Sequence, residues 1–159
     1  MIKGKLAWSG TWSDEFKIKF DVIVTSEPTE DWNNLLHVTT GNNCCGLGER
    51  IPSVSIYRGE YIEICFGVSG NNNYCKNYNI VLHRLYHLEI SQNKTSNGEA
   101  VYKISVDGTI FHEVINTTPK NFQNAQLYLS DPWHASFAPY GTLSNLRIIN
   151  VPSKLDSVD

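Results

Sequence analysis

The sequence predicts an all-β domain in which two antiparallel sheets pack face to face. Apolar side chains recur at every second position in short runs. In residues 16–24, Phe16, Ile18, Phe20, Val22 and Val24 share one face while Lys17, Lys19 and Asp21 take the other. Clusters of Gly, Asn, Asp, Ser and Pro separate these runs. Eight tyrosines, six phenylalanines and four tryptophans favour pleated strands, and no helical periodicity extends beyond two turns. About ten short strands with such turn signals make a sandwich or a barrel, and the bulky apolar faces favour the sandwich. A chain of 159 residues, 41% hydrophobic and 18% charged, can bury one core. The reading is a single domain over residues 1–151 followed by a loose tail, 152–159.

Each element has its own signal. Residues 5–8 read as a first strand and 16–24 as the strongest one. After a turn at Ser26, Glu27, Pro28 and Thr29, residues 35–39 resume the extended pattern, and the Gly, Asn and Pro content of 41–52 makes that segment a loop. Residues 54–57 and 61–68 form a hairpin around Arg58, Gly59 and Glu60, with Ile62, Ile64, Phe66 and Val68 on one face and Cys65 on the other. Gly70, Asn71, Asn72 and Asn73 read as a polar turn, because these residues tolerate positive φ. Residues 85–91 alternate again. The cleanest hairpin joins 101–106 to 109–115 through Asp107 and Gly108, the pair that a type I′ turn requires. Ala125, Leu127 and Leu129 define another strand, halted at Asp131-Pro132-Trp133 because proline has no N–H for a ladder. A loop through Tyr140 and Gly141 leads to a closing strand, 142–149.

A formal charge of −3, without a dense Lys/Arg cluster, offers nothing to neutralise a nucleic-acid backbone or grip an anionic membrane. No apolar run reaches the roughly 20 residues that span a bilayer. The opening MIKGKLAWSG lacks the apolar stretch of a signal peptide, so a targeting segment is expected to have been removed or never to have existed. Cys44, Cys45, Cys65 and Cys75 lie close together in the chain, and Asn93-Lys94-Thr95 and Asn116-Thr117-Thr118 are glycosylation sequons. Both features point to a secreted, disulfide-bonded protein. A bond between the neighbours Cys44 and Cys45 would distort their peptide, so the economical reading joins each of them to one of Cys65 and Cys75. A four-thiolate zinc site is disfavoured, since neither pair has Cys-x-x-Cys spacing.

Beyond periodicity, particular segments carry a resemblance. YHLEISQ (86–92), YKISVDG (102–108), PKNFQNAQLYLSDPW (119–133) and GTLSNLRI (141–148), with NNCCGLGERIP (42–52) and ICFGVSGNNNYC (64–75) upstream, resemble laminin-G-like or concanavalin A-like jelly-roll modules, of a group found in secreted marine invertebrate proteins. The resemblance covers most of the chain. It implies a jelly-roll sandwich, an architecture that serves sugar binding, protein adhesion and, in some branches, glycoside hydrolysis.

Two polar constellations are candidate binding sites. In the first, Trp133 would stack on a pyranose while Asp131 and His134 bond its hydroxyls; in the structural alternative, Asp131 accepts turn amides and Trp133 packs over the sandwich end. In the second, Asn71, Asn72, Asn73 and Tyr74 join Arg50 and Glu49, where amide side chains supply donors and acceptors together; the alternative is a solvated turn. A calcium ion would draw oxygens from Asp131, Glu49 or the Asn run, but no Asp-x-Asp-x-Asp-type loop exists. His83 and His87, four apart, lie two pleats from each other along a strand and read as rim residues.

Catalysis finds no motif. There is no Glu-x-Asp-x-x-Glu run of paired carboxylates, no Gly-x-Ser-x-Gly elbow, and no galectin pattern of His-x-Asn-x-Arg followed by Trp-x-x-Glu. The expectation is an extracellular, non-enzymatic module that recognises carbohydrate or a glycoprotein surface through loops at one rim, needing no cofactor and assembling as a homo-oligomer through a sheet face or edge. The competing expectation is an adhesive matrix domain that contacts protein and has no sugar site.

Overall fold

The computed structural model describes residues 1–151 and contains twelve strands and, among the described residues, no helix. The predicted tail at 152–159 lies outside the described residues. In chain order the strands are β1 (Leu6–Trp12), β2 (Glu15–Val24), β3 (Trp32–Thr39), β4 (Ser53–Tyr57), β5 (Tyr61–Val68), β6 (Asn71–Asn79), β7 (Leu85–Lys94), β8 (Ala100–Val106), β9 (Thr109–Asn116), β10 (Phe122–Tyr128), β11 (Ala135–Ser136) and β12 (Gly141–Val151). One sheet runs β1-β10-β3-β4-β5-β6, with the two-residue β11 added in parallel to β3; the other runs β12-β2-β7-β8-β9. The result is the two-sheet antiparallel sandwich that the alternation predicts, in the jelly-roll form that the resemblance implies.

The alternating residues meet between the sheets. Phe16, Ile18, Phe20, Val22 and Val24 of β2 are each at most 1% exposed, and they face Ile62, Ile64 and Phe66 of β5. Ring contacts cross the interface: Phe66 lies 5.2 Å from Phe16 and stacks on Tyr102 at 4.9 Å. At one end a buried polar clasp replaces apolar packing. Asn116 Nδ2 donates to Gly67 O and Gln92 Oε1, and Gln92 Nε2 donates to Asp14 O. The Asp107-Gly108 turn forms as predicted, with φ of 52° and 79°.

Two expectations are corrected. The Asn run is strand, not turn: β6 begins at Asn71 and pairs along β5, and the reversal occurs one step earlier at Ser69 and Gly70, with φ of 50° and 84°. As an edge strand, β6 buries only Tyr74 and Tyr78 against the core, so its composition resembles a loop while its backbone is held by the ladder to β5.

The predicted cysteine pairing is corrected as well. Cys65 bonds Cys75, and Cys44 bonds its neighbour Cys45 across a cis peptide. The extended β6 is the reason: it places Cys75 directly opposite Cys65, with a Cα–Cα distance of 4.1 Å, and leaves no partner for the loop pair.

Candidate functional site

In the larger sheet, Val54, Ile56, Ile62 and Ile64 point inward, so alternation turns Ser53, Ser55, Glu63 and Cys65 outward, beside Asn73 and Cys75 of β6. A register shift in β3 between Asn34 and Leu36 buries Leu35 and Leu36 together and keeps both Asn34 and His37 on the outer side, opposite Ser55 and Ser53. A bare sheet face would be flat. Here the loop before β4 and the loop around residues 130–138 rise over it, leaving a hollow of about 250 Å3. Trp32, Arg50, Glu63, Asn73 and His134 bound it, over Ser53 and Ser55.

Arg50 is held for orientation. Its Nη1 donates to Asn73 Oδ1 at 2.9 Å, its Nε to Asn43 O at 3.3 Å, and Glu63 lies 3.9 Å away. Burial lowers the Arg50 pKa, against the opposing pull of the Glu63 and Asp131 charges. Burial likewise raises the Glu63 carboxyl above its ordinary value, with Arg50 and His134 pulling it back. The hollow therefore contains a cation and a carboxylate that are only loosely paired, both able to gain from a ligand's hydroxyls. The Cys65–Cys75 bond lies in the wall, and Arg50 Nη1 also donates to Cys65 Sγ at 3.3 Å.

Asp131 organises the loops and does not line the hollow. Fully enclosed, its Oδ2 accepts from Nδ1 of His37 at 2.7 Å and of His134 at 2.8 Å, while its Oδ1 accepts from the backbone N–H of Trp133 and of His134. Its own N–H donates to Asn34 Oδ1. Burial alone would push the carboxyl up; the hydrogen bonds from His134 and His37 and the charge of His134 overcome it and hold Asp131 well below the usual carboxylate range. His37 Nε2 meets Glu49 O at 2.6 Å, so both its ring nitrogens face oxygen atoms. One carboxylate thus joins β3, the Glu49–Arg50 loop and the His134 loop. His134, fixed through Nδ1, borders the hollow and its Nε2 has no partner among the described residues.

The predicted site residues divide accordingly. Arg50, Asn73 and His134 come together. Trp133 sits next door, 39% exposed and edge-on to His37 at 5.5 Å and Tyr128 at 6.2 Å. Asn71 accepts the Asn73 backbone N–H, and Asn72 faces a separate crevice beside Gly70 and Phe122. Tyr74 points to the other side of β6, with its hydroxyl 3.0 Å from His112 Nε2. The Glu49 carboxylate closes its own loop through Asn42 and the Gly46 N–H, which separates it from Asp131 as a source of calcium ligands. Among the described residues the one cluster of metal-type donors is Glu63, Cys65 and Cys75, and its two sulfurs are bonded to each other.

Sequence reasoning missed Trp32, Glu63, Ser53 and Ser55. The last three were visible as the polar half of the alternation in β4 and β5. Trp32, which packs 4.6 Å from Tyr57 and 6.2 Å from Tyr61, required knowing that β3 starts three residues before its first obvious apolar position.

No family model and no curated protein matches the sequence. Solved structures do match in shape. The native heptameric SAP-like pentraxin of Limulus polyphemus superposes with a TM-score of 0.54 at 9% identity, over 92% of this chain and 72% of that one. The receptor binding domain of botulinum neurotoxin D gives 0.57 at 9% identity, over 94% of this chain and 36% of that one. An alginate lyase from Alteromonas sp. 272 gives 0.53 at 9% identity, over 94% and 77%. At such identities the likeness establishes the architecture: this chain has a jelly-roll sandwich of the concanavalin A-like kind.

Proposed function

We propose that the protein is an extracellular, non-enzymatic carbohydrate-binding module, and that the sugar occupies the hollow over Ser53 and Ser55. The observation that carries this reading is the lining: an aromatic ring, Trp32, at the border of a small polar hollow with Arg50, Asn73, Glu63 and His134. Hydroxyl-rich ligands need donors and acceptors at fixed positions together with an apolar surface for the C–H face of the ring, and this group of side chains supplies both. A volume of about 250 Å3 suits a single pyranose, below the usual range for drug-sized ligands. A hydrolase of this architecture would need a second carboxylate facing Glu63; Asp131 is enclosed, and no other carboxylate lines the hollow among the described residues. The two disulfides support an oxidising, extracellular setting.

Per-site affinity is weak, in the range of roughly 0.1–1 mM, because sugar hydroxyls exchange good bonds to water for bonds to protein. The test is a glycan array probed with the protein made multivalent on a tetrameric carrier, in parallel with Trp32→Ala and Arg50→Gln. Binding to a restricted glycan set that both substitutions abolish is expected. A flat response from the folded multivalent protein would favour the adhesive, protein-contacting alternative.

A further inference from the structure

We propose that the outer face of the smaller sheet carries a second recognition site, a groove for an oligosaccharide bearing acidic groups. The groove measures about 720 Å3, with Lys19, Asp21, His87 and Glu89 on its floor and Asn145 and Arg147 along its wall. It lies on the opposite sheet from the Trp32 hollow and stands independently of the function proposed for that hollow.

The wall is built by a bulge. β12 carries one extra residue against β2 between Ser144 and Arg147, with Asn145 at a φ of 53° and its Nδ2 donating to Asp21 Oδ2 at 2.6 Å. Leu143 and Leu146, three apart, both pack against the core. Strict alternation from Leu143 would send Asn145 and Arg147 inward; the inserted residue reverses the parity and puts the Arg147 guanidinium outside.

The charges on this face leave that guanidinium uncommitted. Glu89 accepts from Lys17 at 3.2 Å and Lys19 at 2.7 Å, and Asp21 accepts from His87 Nδ1 at 2.6 Å as well as from Asn145. Arg50, Arg58 and Arg84 pair with Glu63, Asp31 and Asp107, so Arg147 is the one arginine without a carboxylate partner among the described residues. Lys17, Lys19 and Lys103 on this face are already paired with Glu89 and Glu113, and with Glu15 and Asp21 the face is balanced in charge, so Arg147 is its uncommitted cation among the described residues. The apolar lining residues Phe20 and Leu88 are 1% and 2% exposed, so the surface presented is polar: amide, hydroxyl, imidazole, ammonium and guanidinium groups with the paired carboxylates of Asp21 and Glu89. Such a floor has no slot for an apolar peptide side chain or an acyl chain. It fits a polyhydroxyl backbone whose oxyanion, carboxylate or sulfate, pairs bidentately with Arg147.

The experiment is isothermal titration at low salt with a tetragalacturonate, a sulfated neutral tetrasaccharide, the same tetrasaccharide unsulfated, and a tetraglutamate peptide. The proteins are the wild type, Arg147→Gln, Arg147→Lys and Trp32→Ala. Binding of either acidic saccharide supports the site, and the response identifies which acidic group it takes. Arg147→Gln weakens that binding about tenfold or more, Arg147→Lys retains part of it, Trp32→Ala leaves it unchanged, and added salt weakens it. Failure of both acidic saccharides, equal affinity for the unsulfated one, insensitivity to Arg147→Gln, or tetraglutamate binding as tightly would overturn the proposal. Arg147 is exposed, so an unchanged melting temperature verifies that Arg147→Gln folds.

Discussion

Replacing Asn116 by alanine tests the polar clasp that closes one end of the sandwich. The side chain is 3% exposed and makes four hydrogen bonds: Nδ2 to Gln92 Oε1 at 2.8 Å and to Gly67 O at 3.2 Å, with Oδ1 accepting from the N–H of Ser69 at 2.8 Å and of Thr118 at 3.1 Å. It thereby ties the end of β9 to β7 in its own sheet and to the β5–β6 turn of the other. Ser69 and Thr118 are exposed, so water can replace the bonds to their N–H groups. The loss that water cannot repair falls on Gln92 Oε1, inside a residue with no exposed surface, and partly on Gly67 O. One or two orphaned buried acceptors, at about 1–3 kcal/mol each, give an expected loss of about 2–4 kcal/mol. For a chain of this size that corresponds to a fall in melting temperature of roughly 5–15 °C. Urea unfolding followed by tryptophan fluorescence reads it directly.

A second substitution at the same position separates the cause. Asn116→Asp keeps the acceptor toward Ser69 and Thr118 but turns a carboxylate toward two acceptor oxygens, so its carboxyl must have a raised pKa when folded. The destabilisation is therefore full at neutral pH and shrinks as pH falls toward that raised value, where the protonated form can donate to Gln92. A loss below about 0.5 kcal/mol for Asn116→Ala, or an Asn116→Asp defect that does not respond to pH, would refute the reasoning that the amide donor holds this end together.

Three further outcomes follow from the geometry. Because the Asp131 carboxyl is held low when folded, its contribution is present above the unfolded value near pH 3.9 and is lost as pH falls through the folded value; an acid titration of wild type against Asp131→Asn should show the wild type's excess stability disappearing below about pH 4, and parallel curves would contradict it. Opening the Cys65–Cys75 bond by a paired Ala substitution, measured by urea unfolding, costs about 2–3 kcal/mol from the loop entropy of a 10-residue separation, and no change would show that the cross-strand ladder alone fixes β6. In a eukaryotic secretory host a single N-glycan is expected at the exposed Asn93 and none at the engaged Asn116, so Asn93→Gln should abolish the mass shift; a glycan on Asn116 would contradict the clasp.

The strands that bury one face were legible because burial imposes a period of two, as in β2, where every second residue is enclosed. β6 was not, because an edge strand can be held by its ladder while its side chains stay polar, and three consecutive asparagines then look the same as a turn. The site was half legible for a related reason. Arg50 and His134 stand out as polar residues in loops, but Trp32, Ser55 and Glu63 belong to strands, and only the topology shows that β3, β4 and β5 lie side by side with those residues on a common face. The facing of β12 was hidden for the same reason: one added residue decides whether Arg147 meets the core or solvent, and no local pattern announces the insertion.

Asp131 shows why a residue that touches no ligand can still decide whether a site exists. A six-strand ladder gives a flat outer face, and two loops must be raised and held before that face has any depth. Each loop end carries polar groups that would otherwise seek water: the Glu49 carbonyl on one side, the His134 ring and two backbone N–H groups on the other. A single enclosed carboxylate satisfies the second set directly and the first through His37, a link that no neutral side chain of that size could make, since four donors converge on two oxygens. These four donors offset the cost of burying that charge, and His37, one of them, is itself tied to the Glu49 carbonyl, so the network couples the two loops. The hollow is in this sense a property of the buried network, and the residues that line it inherit their positions from a group they conceal.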